Sequence, residues 1–170
     1  MKNKNTIITV IALIIIFGGL VYFAKPSQKP SEKANAVSDE PSSAAALTAA
    51  ETFYNFGEVS MANGNVNHEF KVKNNAAGPI NVAKIYTSCM CTTASITVGE
   101  KTKGPFGMPG HGLVPKANME IPAGAEAVIT AIFDPNAHGP AGVGRIEREI
   151  YLEDDAGAQT ILKFEATVTP

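Results

Sequence analysis

Cys89 and Cys91, in the run SCMCTTA, are the only two cysteines among 170 residues, and three uses of such a pair stand open. The first is a disulfide. In an extended strand, residues two apart have Cα atoms about 6.6 Å apart with parallel side chains, at the outer limit of disulfide geometry. Such a bond needs a local turn or carries strain, and a strained, exposed disulfide is reducible, which suits a redox role better than a structural one. The second use is chelation: parallel thiols suit a soft cation, and Cu(I) prefers thiolate and thioether donors. Met108 and His111, in the loop FGMPGHG, would complete a four-donor site if its glycines and proline let the loop fold back. Zn(II) ranks second to Cu(I), since methionine is a poor zinc ligand. In the third use both cysteines are inert, packed as small hydrophobes, which is a frequent fate of free cysteine.

Other candidates carry less. His68 stands on the inward parity of its strand near an edge, where it reads as a hydrogen-bonded rim residue or, alternatively, a fifth donor. His138 sits in a Gly/Pro loop and reads as solvated, and Met61 and Met119 read as packing residues. Glu153, Asp154 and Asp155 read as the acidic tip of a hairpin rather than a calcium cluster. The sequence has no hydrolase elbow, Walker loop, paired catalytic carboxylates or dinucleotide fingerprint. GHG and GVG lack the flanking strand and helix that phosphate binding needs. A cysteine nucleophile needs a base within reach; His111 would supply one, but no cleft is legible.

The elements that must position these residues are strands. In VNHEFKVKN, Val66, His68, Phe70 and Val72 share one face, and Asn67, Glu69, Lys71 and Lys73 the other, the period of a half-buried strand. Ile146, Ile150 and Leu152, then Leu162, Phe164, Ala166 and Val168, repeat the alternation on either side of a DDAGAQ hairpin turn. Further strands are expected over 56–60, 80–86, 92–98 and 127–133, the last apolar on both faces and therefore central. In INVAKIY the apolar parity changes between Val82 and Ile85, which predicts a bulge or a change of sheet. About seven short strands with no amphipathic helix predict an all-β, immunoglobulin-like β-sandwich.

Ahead of this domain, residues 6–24 hold no charge. At about 1.5 Å per residue such a run covers roughly the 30 Å hydrocarbon core of a bilayer. Residues 1–5 read as a short cytoplasmic stub and 6–24 as a transmembrane signal anchor. The anchor is expected to stay uncleaved because Tyr22 is bulky where a cleavage site needs a small residue. No cysteine follows the run for lipid attachment. Residues 25–50, rich in Ser, Ala, Pro and Lys, read as a disordered linker, and 51–170 as the folded domain. The chain is therefore expected in the cell membrane as a single-pass protein with its C-terminal domain extracytoplasmic. Five of the fourteen basic residues and three of the sixteen acids lie in the first fifty positions, so the domain carries nine against thirteen. A mildly acidic domain without a basic stripe speaks against nucleic acid as a partner.

The order FGEV, HEFKVKNN, INVAKIYTSCMCTTA and IPAGAEAVITAIFDP resembles a bacterial family of exported domains, domain of unknown function fifteen seventy-three. Its members run as Phe-Gly, a His-x-Phe strand ending in Asn, a Ser-Cys-Gly-Cys-Thr segment, and a Pro-Gly turn before a strand closing in Phe-Asp-Pro. The resemblance spans residues 53 to 168. It implies a fold similar to the immunoglobulin-like modules of the major sperm protein and cilia-associated groups, which bind and scaffold, and it implies no reaction. Met90 stands where the family has Gly, the Pro-Gly turn is Pro122-Ala123-Gly124, and residues 99–120 form an insertion. Two functions are thus expected in order: a non-catalytic, membrane-anchored extracytoplasmic binding or scaffold module with an envelope protein as partner, and a copper-binding or thiol-redox protein using Cys89, Cys91, Met108 and His111.

Overall fold

The computed structural model describes residues 47–110 and 116–170. The expected anchor at 6–24, most of the expected linker and His111 lie outside them. Among the described residues no helix is long and apolar enough to cross a membrane.

Ten strands form among these residues: β1 (Leu47–Ala49), β2 (Phe53–Ser60), β3 (Val66–Asn74), β4 (Ile80–Thr87), β5 (Thr92–Val98), β6 (Lys101–Phe106), β7 (Met119–Ile121), β8 (Glu126–Phe133), β9 (Gly144–Asp154) and β10 (Gln159–Thr169). They make two five-stranded sheets, ordered β1-β3-β8-β5-β6 and β2-β10-β9-β4-β7. Every pairing is antiparallel except β2 with β10. All seven expected strands are present, and β8 is the central strand of its sheet, as its apolar character on both faces predicts. The other three are short: β1, β6 and β7. β1 lies within the stretch expected to be a linker, so the folded part begins before residue 51; Leu47 is buried in the core. β6 lies in the insertion and β7 starts at its end, and Gly99 (φ 58°) and Glu100 make a two-residue turn from β5 into β6.

Alternation in the sequence becomes alternation in burial. Phe70 and Val72 of β3 are fully buried while Glu69, Lys71 and Lys73 are exposed. From the first sheet Phe70, Val72, Ile96 and Ile129, and from the second Ile85, Ile150, Leu152, Leu162 and Phe164, fill one shared core. Each such side chain contributes about 1.5–3 kcal/mol by leaving water. The rings of Phe133 and Phe164, one from each sheet, meet across it with centroids 5.6 Å apart. The parity change in β4 is a bulge: its register against β9 shifts between Val82 and Lys84. The displaced Ala83 carbonyl accepts from the N–H groups of Ala117 and Asn118, which ties the end of the insertion to β4.

The acidic hairpin tip is a turn-forming device. Asp154 Oδ1 accepts from the N–H groups of Ala156 and Ala158 at 2.9 and 2.8 Å. Asp155 takes the Asn81 amide, and Glu153 pairs with Lys84. All three carboxylates have protein partners.

Candidate thiol site

β4 belongs to one sheet and β5 to the other, so residues 88–91 must cross the rim of the sandwich in four residues. That crossing is the cysteine segment, and it corrects the extended-strand geometry expected for it. Thr92 N–H donates to the Cys89 carbonyl at 3.1 Å, closing a tight turn. The buried Thr87 hydroxyl lies 3.0 Å from the Cys89 carbonyl and 2.9 Å from that of Thr92, within reach of both ends of the turn. Ser88 exchanges two hydrogen bonds with Glu149 of β9: its N–H donates to the Glu149 carbonyl, and its Oγ accepts the Glu149 N–H, both at 2.9 Å. The Cys91 carbonyl accepts from Asp134 N–H at 2.9 Å, just past β8. The turn is thus fixed to both sheets.

Within it the two thiols face different surroundings. Cys89 is half-buried and Cys91 is buried. The Cys91 N–H points at Cys89 Sγ, 3.3 Å away. His138 Nε2 lies 3.1 Å from the same sulfur. Behind, Arg148 donates from Nε to Cys91 Sγ at 3.1 Å, while its terminal nitrogen donates to the Glu147 carbonyl at 2.8 Å. The two sulfurs and a ring nitrogen of His138 all lie within 4.8 Å of one another.

These contacts separate the two acidities. Burial pushes Cys89 up, but hydrogen bonds from the Cys91 thiol, His138 and the Cys91 N–H, with the charge of Arg148, outweigh it and bring Cys89 down to about 7. Cys91 moves the other way: burial and its hydrogen bond to Cys89 push it up, beyond what Arg148 and Thr92 recover. The pair therefore shares its first charge mainly on the outer sulfur.

Of the four residues expected to act together, Cys89 and Cys91 do meet. Met108 is half-buried on a segment that starts beside the turn, where the Gly107 carbonyl accepts from Thr87 N–H at 3.3 Å. His138, expected to be merely solvated, is an exposed residue whose ring reaches Cys89. The signal that would have found it is strand pairing: Thr92 lies opposite Phe133 in the β5–β8 ladder, so the loop after β8 must return to the segment before β5. Asp134 starts that loop as its cap, its Oδ1 accepting from Asn136 N–H at 2.8 Å. Arg148 was also missed, and its signal is simpler. It pairs with Phe164 and so shares the inward face with Ile146, Ile150 and Leu152, a charge at a core position of an otherwise apolar alternation. His68 is a rim residue, as expected: it stacks on Tyr54 with centroids 3.5 Å apart, and its Nε2 is 2.9 Å from Glu51 Oε2.

Comparison with known proteins supports the family resemblance over part of the chain. Residues 47–105, about a third of it, match the model of a family described as protein of unknown function (DUF1573). The matched stretch includes the cysteine turn and ends before His138 and Arg148. No curated protein matches the sequence. Among solved structures, a protein of unknown function from Porphyromonas gingivalis W83 is similar with a TM-score of 0.52 at 16% identity, over 76% of this chain and 51% of that one. The VesB protease of Vibrio cholerae aligns with a TM-score of 0.46 at 11% identity, over 72% of this chain and 32% of that one. The chain thus spans about half the length of the first and about a third of the second. At these identities the likeness to the Porphyromonas gingivalis structure shows a shared fold and nothing of activity.

Proposed function

We propose that the chain is a membrane-anchored, extracytoplasmic module of immunoglobulin-like architecture that engages an envelope protein through thiol–disulfide exchange. The cysteine turn is its point of contact, a dithiol that exchanges with a disulfide of the partner. The charge-free run at 6–24 supports the anchor, and an extracytoplasmic compartment is where disulfides persist. Two sheets of short, mostly antiparallel strands around one core support the immunoglobulin-like reading.

The observation that carries the proposal is the asymmetry of the thiols. Cys89 is only partly buried, between His138 and the Cys91 N–H, and Cys91 is buried against Arg148. That is the arrangement of an attacking and a resolving thiol. Cys89 thiolate attacks one sulfur of the partner's disulfide; the S–S bond breaks, a mixed disulfide forms, and the partner's other sulfur leaves as a thiolate that takes up a proton. Cys91 gives up its proton and, as thiolate, attacks Cys89 Sγ, displacing the second partner sulfur as a thiolate that takes up a proton. Two electrons pass from the pair to the partner, leaving a Cys89–Cys91 disulfide.

Oxidised glutathione is the test probe, on the full chain in detergent. Cys91→Ser is expected to accumulate one glutathione per chain, on Cys89, because the resolving thiol is gone. Cys89→Ser is expected to react more slowly by about tenfold or more, since its remaining thiol is buried and its acidity is weakened. Equal labelling of the two variants, or none of either, would overturn the proposal.

A further inference from the structure

We propose that the reduced turn is also a metal site: Cys89, Cys91 and His138 bind one Cu(I) through two sulfurs and one imidazole nitrogen, a three-coordinate set. Two donors bound to one ion at the usual first-row distances of about 2.0–2.3 Å are never more than about 4.6 Å apart. The three donor atoms here already lie within 4.8 Å of one another, so small side-chain adjustments bring them around a common centre. The two segments that carry them are fastened together by the Asp134 N–H to Cys91 carbonyl bond at 2.9 Å. The chelate is therefore largely organised before the ion arrives.

Ligand softness and charge together choose the ion. Thiolates select Cu(I) over harder cations. Two thiolates and a monovalent ion sum to one negative charge, and the half-buried Arg148 guanidinium, 3.1 Å from Cys91 Sγ, brings the site to neutrality. Zn(II) would leave a net positive charge in a partly desolvated place and would lack the fourth donor its structural sites take. Arg148 is thus the residue that sets selectivity, without touching the ion.

The site differs from the one the sequence suggested in taking its imidazole from His138, on the loop after β8, in place of His111. The metal assignment also stands apart from disulfide exchange. A turn that binds Cu(I) and never reacts with a disulfide leaves the assignment intact, whereas a turn that exchanges and binds no Cu(I) overturns the assignment alone.

The experiment is a competition. Reduced full chain in detergent is titrated against Cu(I) held by bathocuproine disulfonate, whose loss of colour reads the transfer. The expected result is one Cu(I) per chain, with transfer abolished in Cys89→Ser and affinity lowered by about tenfold or more in His138→Ala, tenfold corresponding to about 1.4 kcal/mol. Arg148→Gln is expected to narrow the preference for Cu(I) over Zn(II) measured on the same protein. His138 is exposed, and thermal melting coincident with wild type verifies that its substitution leaves the fold intact. No transfer to the wild type, or unchanged affinity in a folded His138→Ala with loss in Met108→Leu, would overturn the assignment.

Discussion

Phe164→Ala is expected to lower the free energy of unfolding by about 3–5 kcal/mol, the usual cost of emptying a buried phenylalanine site. Phe164 is fully buried on β10 between β2 and β9. Its ring meets Phe56 at 5.3 Å and Phe133, from the opposite sheet, at 5.6 Å. Few neighbours can collapse into the gap, because rigid ladders hold the strands on both sides. Against a typical total of about 5–15 kcal/mol the loss is a large fraction of stability. It also reaches the thiol site, since Phe133 ends the strand that delivers Asp134 to the Cys91 carbonyl. Urea unfolding followed by circular dichroism measures it; a change below about 1 kcal/mol would mean that the sheets do not pack through this contact.

Alkylation of Cys89 is expected to follow a pH profile with its midpoint at about 7, where an ordinary cysteine has it near 8.5. The sign follows from the contacts: groups that donate hydrogen bonds to the sulfur, and a nearby cation, favour the charged form, so thiolate persists to lower pH. At pH 7 about half of Cys89 is thiolate, against about 3% of an ordinary thiol, an advantage of about sixteenfold. Intrinsic nucleophilicity falls with acidity at a slope of about 0.4–0.5, which returns about fivefold of it. The net expectation is a rate about threefold above an ordinary exposed thiol at pH 7, levelling off above pH 8, while the rate of Cys91 is still climbing. Iodoacetamide labelling read peptide by peptide separates the two. A Cys89 midpoint at the ordinary thiol value would show that the contacts from Cys91, His138 and Arg148 do not together hold the thiolate.

Local patterns made most of the architecture legible. β3 and β5 begin and end where alternation begins and ends, at Val66–Asn74 and Thr92–Val98. A slip of parity between Val82 and Ile85 marked the bulge in β4. The strands that escaped notice had no such pattern. β6, KTKGPF, is exposed at every position but its last, so no buried face leaves an alternation to read, and β1 and β7 are three residues long. At the thiol site the limit was different. The cysteines were conspicuous, but placing a turn there requires knowing that β4 and β5 lie in different sheets, and finding His138 requires knowing that β5 pairs with β8; both are long-range facts. Arg148 was legible in principle, as a charge standing between Ile146 and Ile150 on the inward parity of β9. Its meaning is not local either, because its partner Cys91 is 57 residues away.

On the proposed reading this rim crossing holds an attacking thiol, Cys89, and a more deeply buried resolving thiol, Cys91. Intact mass of the wild-type chain after reaction with oxidised glutathione tests that most directly. The expected final product is about 2 Da lighter than the reduced chain with no glutathione attached, the Cys89 adduct passing through as an intermediate. A stable adduct of the wild type, or a mass that never changes, would contradict it.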